Sequence, residues 1–304
     1  MIKSKILIEQ VNNKYFDLKA EKYAVKRYND DILNSNEEYV SLESNLGKAK
    51  FMLAKAEYNE NAEDVKNLSI QVEILNKRLE ELKKKLNLAP IKYNCDICKD
   101  TGVINGKRCK CYYKYLTQFA LESLDVSEPE NSEFSNLIQN PKLAKQFKVI
   151  KNYADNFPST QISNLIFSGN VGTGKTELAK CVLTQVKKCD YIALFLTSTE
   201  LNAIFTKMHT CQVDRNLIFE VLSDADLLII DDLGTETLYK NVTIEYLLSL
   251  VSNRIEKGKH LIITTNLTDK ELVERYNERF TSRILDKSKS LFIPFYSDDF
   301  RKQI

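Results

Sequence analysis

One segment of the chain has residue types and spacing suited to binding phosphate. Residues 169–176 read Gly-Asn-Val-Gly-Thr-Gly-Lys-Thr and fit the pattern G-x-x-x-x-G-K-[ST]. Glycines let backbone N–H groups wrap phosphate oxygens, and the start of a helix adds a favourable dipole. We expect Lys175 to contact the β- and γ-phosphates of a nucleotide and Thr176 to ligate Mg²⁺. The cradle itself would be Gly169, Asn170, Val171, Gly172, Thr173 and Gly174.

A second candidate is the apolar segment Asp226–Asp232, which ends in two carboxylates. Downstream of a phosphate loop, Asp231 is expected to hold Mg²⁺ directly or through water, and Asp232 to orient or deprotonate the attacking water. Without the phosphate loop, such a segment is often only a strand that ends in a polar turn. The two motifs together predict a site for nucleotide hydrolysis.

Two further features have structural alternatives. Asn266 ends the apolar run that begins at Ile262 and suits a contact to the attacking water or the γ-phosphate, but Asn266 or Thr268 also suits a helix cap. Arg279 and Arg283 are spaced i,i+4 and share a helix face. Arginine stabilises the charge of phosphoryl transfer, yet it also forms surface salt bridges. From these residues alone, the cap and the salt bridge are favoured.

Four cysteines lie close together in the sequence, as C-x₂-C, ten residues and C-x-C: Cys95, Cys98, Cys109 and Cys111. Four thiolates can close a tetrahedral Zn²⁺ site, and such a closed site is structural. The loop between the pairs contains Asn105-Gly106, a hairpin signal. Basic residues outnumber acidic ones around the cluster, which leaves open a DNA or protein contact or a merely solvated surface.

The elements that must position these residues follow from the hydrophobic pattern. Short apolar runs alternate with helical stretches from residue 164 onward, which is typical of an α/β fold with a parallel sheet. The predicted strands are 164–168, 191–197, 227–230, 260–264 and 291–295. The predicted helices are 175–187, 199–208, 215–223 and 242–257.

The N-terminal region has a different pattern. Apolar residues recur at alternating steps of three and four over 39–56 and again over 65–86, as in a coiled coil. The break near Asn61 predicts an antiparallel helical hairpin, which serves either as an interaction arm or as a solvated bundle without a partner. We therefore divide the chain into a helical partner-binding domain (1–90), a zinc knuckle (91–115) and an ATPase domain (116–304).

Composition excludes several classes of protein. The net charge is +2, from 44 Lys and Arg against 42 Asp and Glu, so nucleic-acid binding must be local. With two histidines and no nucleophile motif, a histidine-based catalytic triad is not expected. No segment suits a membrane span or a signal peptide, and we expect a cytoplasmic protein without a membrane partner.

The motifs together resemble those of AAA+ ATPases, within them the bacterial helicase loaders of the DnaC/DnaI type and the related IstB-type transposition ATPases. The resemblance covers roughly residues 115–304 and rests on 169–176, 227–234, 264–266 and the terminal Ser-Asp-Asp-Phe-Arg at 297–301. It implies that Asn266 is the sensor I residue, Arg283 an arginine finger reaching the next protomer, and Arg301 the sensor II arginine. It also implies that Tyr153 or Phe157 lies near the adenine.

The resemblance implies an ATP- and Mg²⁺-dependent loader that binds a replicative hexameric helicase and single-stranded DNA and associates with itself. Many AAA+ proteins carry Glu where this chain has Asp232, whose shorter side chain suggests slow hydrolysis. The rivals are an IstB-type ATPase assisting a DNA transposase and a nucleotide-gated adaptor with little hydrolysis. The cysteine segment favours the loader.

Overall fold

The computed structural model describes residues 4–137 and 141–295. Arg301, which carries one sequence prediction, lies outside these residues. The chain divides into two compact units, one formed by residues 12–111 and the other by residues 1–11 with 112–304. The first unit combines N-terminal helices with the cysteine segment, whereas the sequence predicts a helical domain and a separate zinc knuckle.

Three long helices begin the chain: α1 (Ser4–Asn34), α2 (Glu37–Tyr58) and α3 (Ala62–Lys85). Asn36 and Asn61 cap the starts of α2 and α3, because each side chain accepts a backbone N–H three residues ahead. Between these two helices, Leu46, Leu75 and Leu79 are buried in one cluster. The heptad pattern thus corresponds to a helical hairpin, and the preceding 31-residue α1 is an addition to it.

The cysteine segment forms a small hairpin between β1 (Val103–Ile104) and β2 (Lys107–Arg108). Its turn residues Asn105 and Gly106 both have positive φ, 49° and 77°. This is the geometry that an Asn-Gly pair adopts readily, and it brings the two cysteine pairs to the same end of the hairpin. Helix α4 (Lys110–Ser123) follows directly.

A parallel sheet forms the core of the second unit. In the described residues its strands are β3 (Asn164–Gly169), β4 (Ala193–Thr197), β5 (Leu227–Leu233), β6 (His260–Thr265) and β7 (Ser290–Phe295), in the order β4-β5-β6-β3-β7. Consecutive residues Ile229 and Ile230 are both fully buried, so helices cover both faces of the sheet. The predicted α/β fold with a parallel sheet is confirmed.

Helices connect the strands and extend beyond them. They are α5 (Ala144–Asp155), α6 (Lys175–Lys188), α7 (Ser198–His209), α8 (Arg215–Asp224), α9 (Thr243–Glu256), α10 (Asp269–Tyr276) and α11 (Glu278–Ile284). All strands run the same way, so their carboxyl ends meet at one edge of the sheet, where ligands bind in open α/β sheets. None of the described helices combines the length and the apolar character needed to cross a bilayer.

Candidate nucleotide-binding site

The phosphate loop leaves the end of β3 and enters α6, as its sequence predicts. Gly172 and Gly174 have positive φ of 77° and 86°, which glycine adopts without strain. Gly169 has a second reason to lack a side chain, because a Cβ there would lie 2.2 Å from the carbonyl oxygen of Phe295 in β7. The sequence of glycines thus fits both the turn and its close approach to the neighbouring strand.

Lys175, the first residue of α6, turns back over this loop. Its Nζ donates to the carbonyl oxygens of Gly169 and Asn170, each at 2.7 Å, and to Oδ1 of Asn266 at 2.9 Å. The residue is 7% exposed. A buried ammonium group in a cage of oxygen acceptors is suited to binding an anionic phosphate oxygen at the same place.

Asp231 is the centre of a hydrogen-bonded group at the end of β5. Its carboxylate accepts from the Thr176 hydroxyl at 3.0 Å and from the Thr264 hydroxyl at 2.6 Å. Burial raises the pKa of Asp231, the two hydroxyl donors lower it, and the neighbouring charge of Asp232 raises it. A buried carboxylate beside a hydroxyl and a second carboxylate is an oxygen-rich set of the kind that Mg²⁺ binds.

Asp232 follows in an unusual backbone conformation. The register between β5 and β6 shifts between Ile230 and Leu233, and Asp232 itself has φ of 55°. In a regular strand successive side chains point to opposite faces, whereas this bulge turns the second carboxylate toward the same site as the first. The Thr264 hydroxyl stabilises the bulge, because it accepts the Asp232 N–H at 2.8 Å. Sequence reasoning assigned no role to Thr264.

Asn266 joins the two halves of the site. Its Oδ1 accepts from Lys175 at 2.9 Å, and its Nδ2 donates to Oδ1 of Asp232 at 3.0 Å. Asn266 is not the cap of the following helix, because Thr268 caps α10 in a reciprocal capping box with Glu271. One amide group therefore connects the phosphate-binding lysine with the carboxylate expected to act on water.

Two other predicted residues lie away from this site within the protomer, and for Arg283 the prediction concerns the nucleotide of a neighbouring protomer. Arg283 lies on α11, where its Nη1 donates to the carbonyl oxygen of Arg279 at 2.8 Å. Tyr153 is buried, and its hydroxyl lies 2.7 Å from Nδ1 of His260 at the start of β6, the opposite end of the strands from the phosphate loop. Its described contacts are those of a core residue and not of an adenine contact.

The four cysteines converge in the other unit. Their sulfur atoms all lie within 4.8 Å of one another. The hydroxyl of Tyr15 in α1 lies 3.0 Å from the sulfur of Cys111, and a Cβ on Gly102 would lie 2.8 Å from the ring of Tyr15. Asp100 accepts the N–H of Cys95 at 2.7 Å and pairs with Lys22 of α1. The knuckle is therefore fixed to α1 by packing and by charge.

The sheet order, the phosphate loop after β3 and the acidic pair near the end of β5 define a P-loop ATPase domain of the AAA+ class. The sequence profile of the family described as IstB-like ATP binding protein matches residues 139–303, and the chain belongs to this family. Its domain is of the type found in DnaC helicase loaders, which are related to IstB.

Several similar proteins are described as replicative helicase loaders. A replicative helicase loader DnaC of Buchnera aphidicola subsp. Acyrthosiphon pisum is 30% identical over 179 residues, which cover 57% of this chain and 71% of that protein. The replicative helicase loader DnaC of Escherichia coli K12 is 27% identical over 157 residues, 51% of this chain and 62% of that protein. A crystal structure of the DnaC helicase loader aligns with a TM-score of 0.47 and 24% identity, covering 53% of this chain and 96% of that one.

Proposed function

We propose that this protein is an ATPase that loads a replicative hexameric helicase onto DNA and is switched by ATP binding and hydrolysis. The observation that carries the enzymatic part is the Asn266 bridge between Lys175 and Asp232. The helicase as client is supported by the relatives named replicative helicase loader.

The donor set fits ATP with Mg²⁺. Nothing lies within 4 Å of the Cβ position of Gly174, so there is open space beside the turn that starts α6, where helix N–H groups are suited to bind a phosphate. Thr176 and Asp231 would hold Mg²⁺, which neutralises phosphate charge when bound. Lys175 contacts the phosphate oxygens, and Asp232, oriented by Asn266, accepts a proton from water. The short side chain of Asp232 supports slow turnover.

Self-association completes the site in this proposal. Arg283 contacts its own helix and no phosphate-loop residue among the described contacts, so its charge is available to the nucleotide of a neighbouring protomer. The test of hydrolysis is turnover by the wild type and by Asp232→Ala. Equal rates, with ATP still bound, would exclude the enzyme and favour the nucleotide-gated adaptor.

Single-stranded DNA is the proposed nucleic-acid ligand of the ATPase unit. The loop between β5 and α9 exposes Tyr239, at 50%, beside the exposed Lys240. An aromatic ring for base stacking next to a cation for the phosphate is the usual composition of such sites. Tyr239→Ala should weaken binding of a labelled oligonucleotide in the ATP-bound state, while Tyr58→Ala, an exposed tyrosine of α2, should not. Equal affinities of the two variants would exclude this loop.

Zinc is the proposed ligand of the cysteine cluster. The sulfurs of Cys95 and Cys109 are 3.8 Å apart, close to the ~3.8 Å edge of a tetrahedron with Zn–S bonds of ~2.3 Å. The protein as purified should contain about one zinc per chain, by analogy with closed four-cysteine sites. Cys109→Ser should lose the metal, and Cys211→Ser, an exposed cysteine elsewhere, should keep it. Atomic emission on the three proteins decides the matter.

The helicase is proposed to bind the N-terminal domain (1–90). The test is co-sedimentation of the full chain with a hexameric replicative helicase, followed by unwinding of a single-strand-gapped substrate coated with single-strand-binding protein. Binding and ATP-dependent loading support the proposal, and failure to bind any replicative helicase removes it while leaving the ATPase intact.

The family match favours one second candidate, an IstB-type ATPase that assists a transposase on duplex DNA. ATP-dependent stimulation of a transposase would identify it.

A further inference from the structure

A buried carboxylate lies just beyond the catalytic end of β5. Glu236 is 3% exposed, and its Oε2 accepts the N–H of Gly234 at 2.9 Å. Gly234 is two residues beyond Asp232, and a Cβ on it would lie 2.8 Å from the side chain of Leu267, which follows Asn266. The carboxylate therefore contacts the turn that follows Asp232, and this turn packs against the residue that follows Asn266.

The other oxygen of Glu236 faces the end of α10. Its Oε1 accepts the hydroxyl of Tyr276, and the Arg275 guanidinium lies 3.9 Å from the same oxygen and donates to the Glu236 carbonyl. Burial, and then the neighbouring Glu236, raise the pKa of Tyr276, so this hydroxyl remains a donor at neutral pH. A buried carboxylate with donors on both oxygens is held in one position.

The end of α10 is also the start of the segment that carries Arg283. Tyr276 is followed by Asn277, which has φ of 78°, ends α10 and caps α11. The ring of Tyr276 lies 5.3 Å from that of Phe280, a fully buried residue of α11. The position of α11 relative to β5 therefore depends in part on contacts that pass through Tyr276, beside the direct packing of α11 against α9.

The loop is fixed on its far side as well. Asn202 of α7 donates to the carbonyl oxygen of Thr237 at 2.7 Å and accepts the hydroxyl of Thr243, the first residue of α9, at 2.6 Å. Glu236 is thus the one residue of this loop whose side chain, among the described contacts, joins the turn after Asp232 to the end of α10.

We propose that Glu236 is a positioning residue that sets the arginine-bearing helix α11 relative to the turn after Asp232, so that Arg283 is presented to a neighbouring protomer in register with that protomer's nucleotide. The inference rests on the proposed function, because it requires hydrolysis and a site shared between protomers. Glu236 contacts no phosphate-loop residue in the described contacts, and its action is through α10 and α11.

The test is a subunit-mixing experiment on the full chain with Glu236→Gln, which keeps the size and removes the second acceptor. Alone, this variant should bind ATP within about twofold of the wild type but lose at least about tenfold in kcat. Mixed with Lys175→Ala, which cannot use its own nucleotide but has an intact α11, it should regain a large part of the lost rate. Glu274→Gln, the same charge change on an exposed face of α10, should keep the wild-type rate alone.

Several outcomes overturn the inference. The first is a wild-type kcat in Glu236→Gln alone. The second is a lowered kcat that mixing with Lys175→Ala does not restore, although the parallel mixture of Arg283→Ala with Lys175→Ala does regain activity. If the Arg283→Ala mixture stays inactive, the shared site of the proposed function fails and the inference falls with it. If Glu236→Gln does not fold, judged by circular dichroism, Tyr276→Phe replaces it, and a wild-type rate there refutes the inference. Nucleotide-dependent sedimentation gives a second readout, which should show unchanged assembly.

Discussion

Replacing Thr264 with valine should destabilise the ATPase unit more than its small change in shape suggests. The Thr264 hydroxyl donates to Asp231 at 2.6 Å and accepts the N–H of Asp232 at 2.8 Å, and the residue is 1% exposed. A hydrogen bond to a charged group contributes ~1.5–3 kcal/mol, and an orphaned buried N–H costs ~1–3 kcal/mol. Since such terms do not add fully, we expect a loss of about 3 kcal/mol in the free energy of unfolding.

The assay is calorimetric unfolding of the full chain, following the transition that ATP with Mg²⁺ shifts upward. For a unit of this size the loss corresponds to a fall in Tm of about 6–12 °C. Thr264→Ser keeps the hydroxyl and is the matched control. The Thr264 bond favours the ionised form of Asp231, so its loss should also weaken Mg²⁺-dependent nucleotide binding. If the valine and serine variants melt within about 2 °C of each other, the hydroxyl does not stabilise the bulge as argued.

Three further predictions concern single positions. Asn266→Ala should lower kcat by about 10–100-fold while the Kd for ATP stays within about threefold, as measured by steady-state hydrolysis and equilibrium binding; a larger effect on Kd would contradict an orienting role. Gly169→Ala should lower Tm strongly, because the new Cβ would lie 2.2 Å from the Phe295 carbonyl oxygen, whereas Gly258→Ala, with positive φ but open space, should cost only ~1 kcal/mol. Burial lowers the pKa of His260 to about 4. Near pH 5 the folded state therefore binds fewer protons than the unfolded state, whose histidine has its usual pKa near 6.5. The free energy of unfolding should be highest above about pH 6.5 and should fall by up to about 3 kcal/mol as the pH falls toward 4. His260→Gln should flatten that part of the urea-unfolding pH profile, and an unchanged profile would assign the dependence to other groups.

The parts of the site that the sequence predicts are those encoded locally. The glycines and Lys175 of the phosphate loop form one contiguous motif, and the strand ahead of Asp231 is a continuous apolar run, so both can be recognised without knowledge of the fold. The strand bounds agree within a residue or two at most ends for the same reason. The helical character of residues 1–90 is predicted, but α1 as a separate helix of 31 residues is not, because its buried Leu7, Val11, Leu18 and Leu33 do not continue the alternating steps of three and four.

The parts that sequence reasoning missed depend on distant residues. Thr264 acts on Asp231 and Asp232 through a register shift between two strands, which no local pattern reports. Tyr153 is placed by its partner His260, 107 residues further along the chain. In the sequence Glu236 is an ordinary polar loop residue, and only the fold shows that the end of α10 buries it. In each case the decisive contact is long-range, and the residue type alone is compatible with several environments.

The left-handed backbone at Asp232 has a consequence for the choice of residue at that position. Asp and Asn are enriched several-fold in this region of φ and ψ over longer or branched residues, which corresponds to about 1 kcal/mol. A glutamate there would extend the carboxylate toward the water, but it would strain the backbone of the bulge that orients the carboxylate. A longer side chain and an unstrained backbone are therefore opposing requirements at this position. The aspartate of this chain fits the left-handed backbone with little strain, and its carboxylate extends less far. Improving its catalysis by protein engineering would accordingly require reshaping the strand end before lengthening the acid.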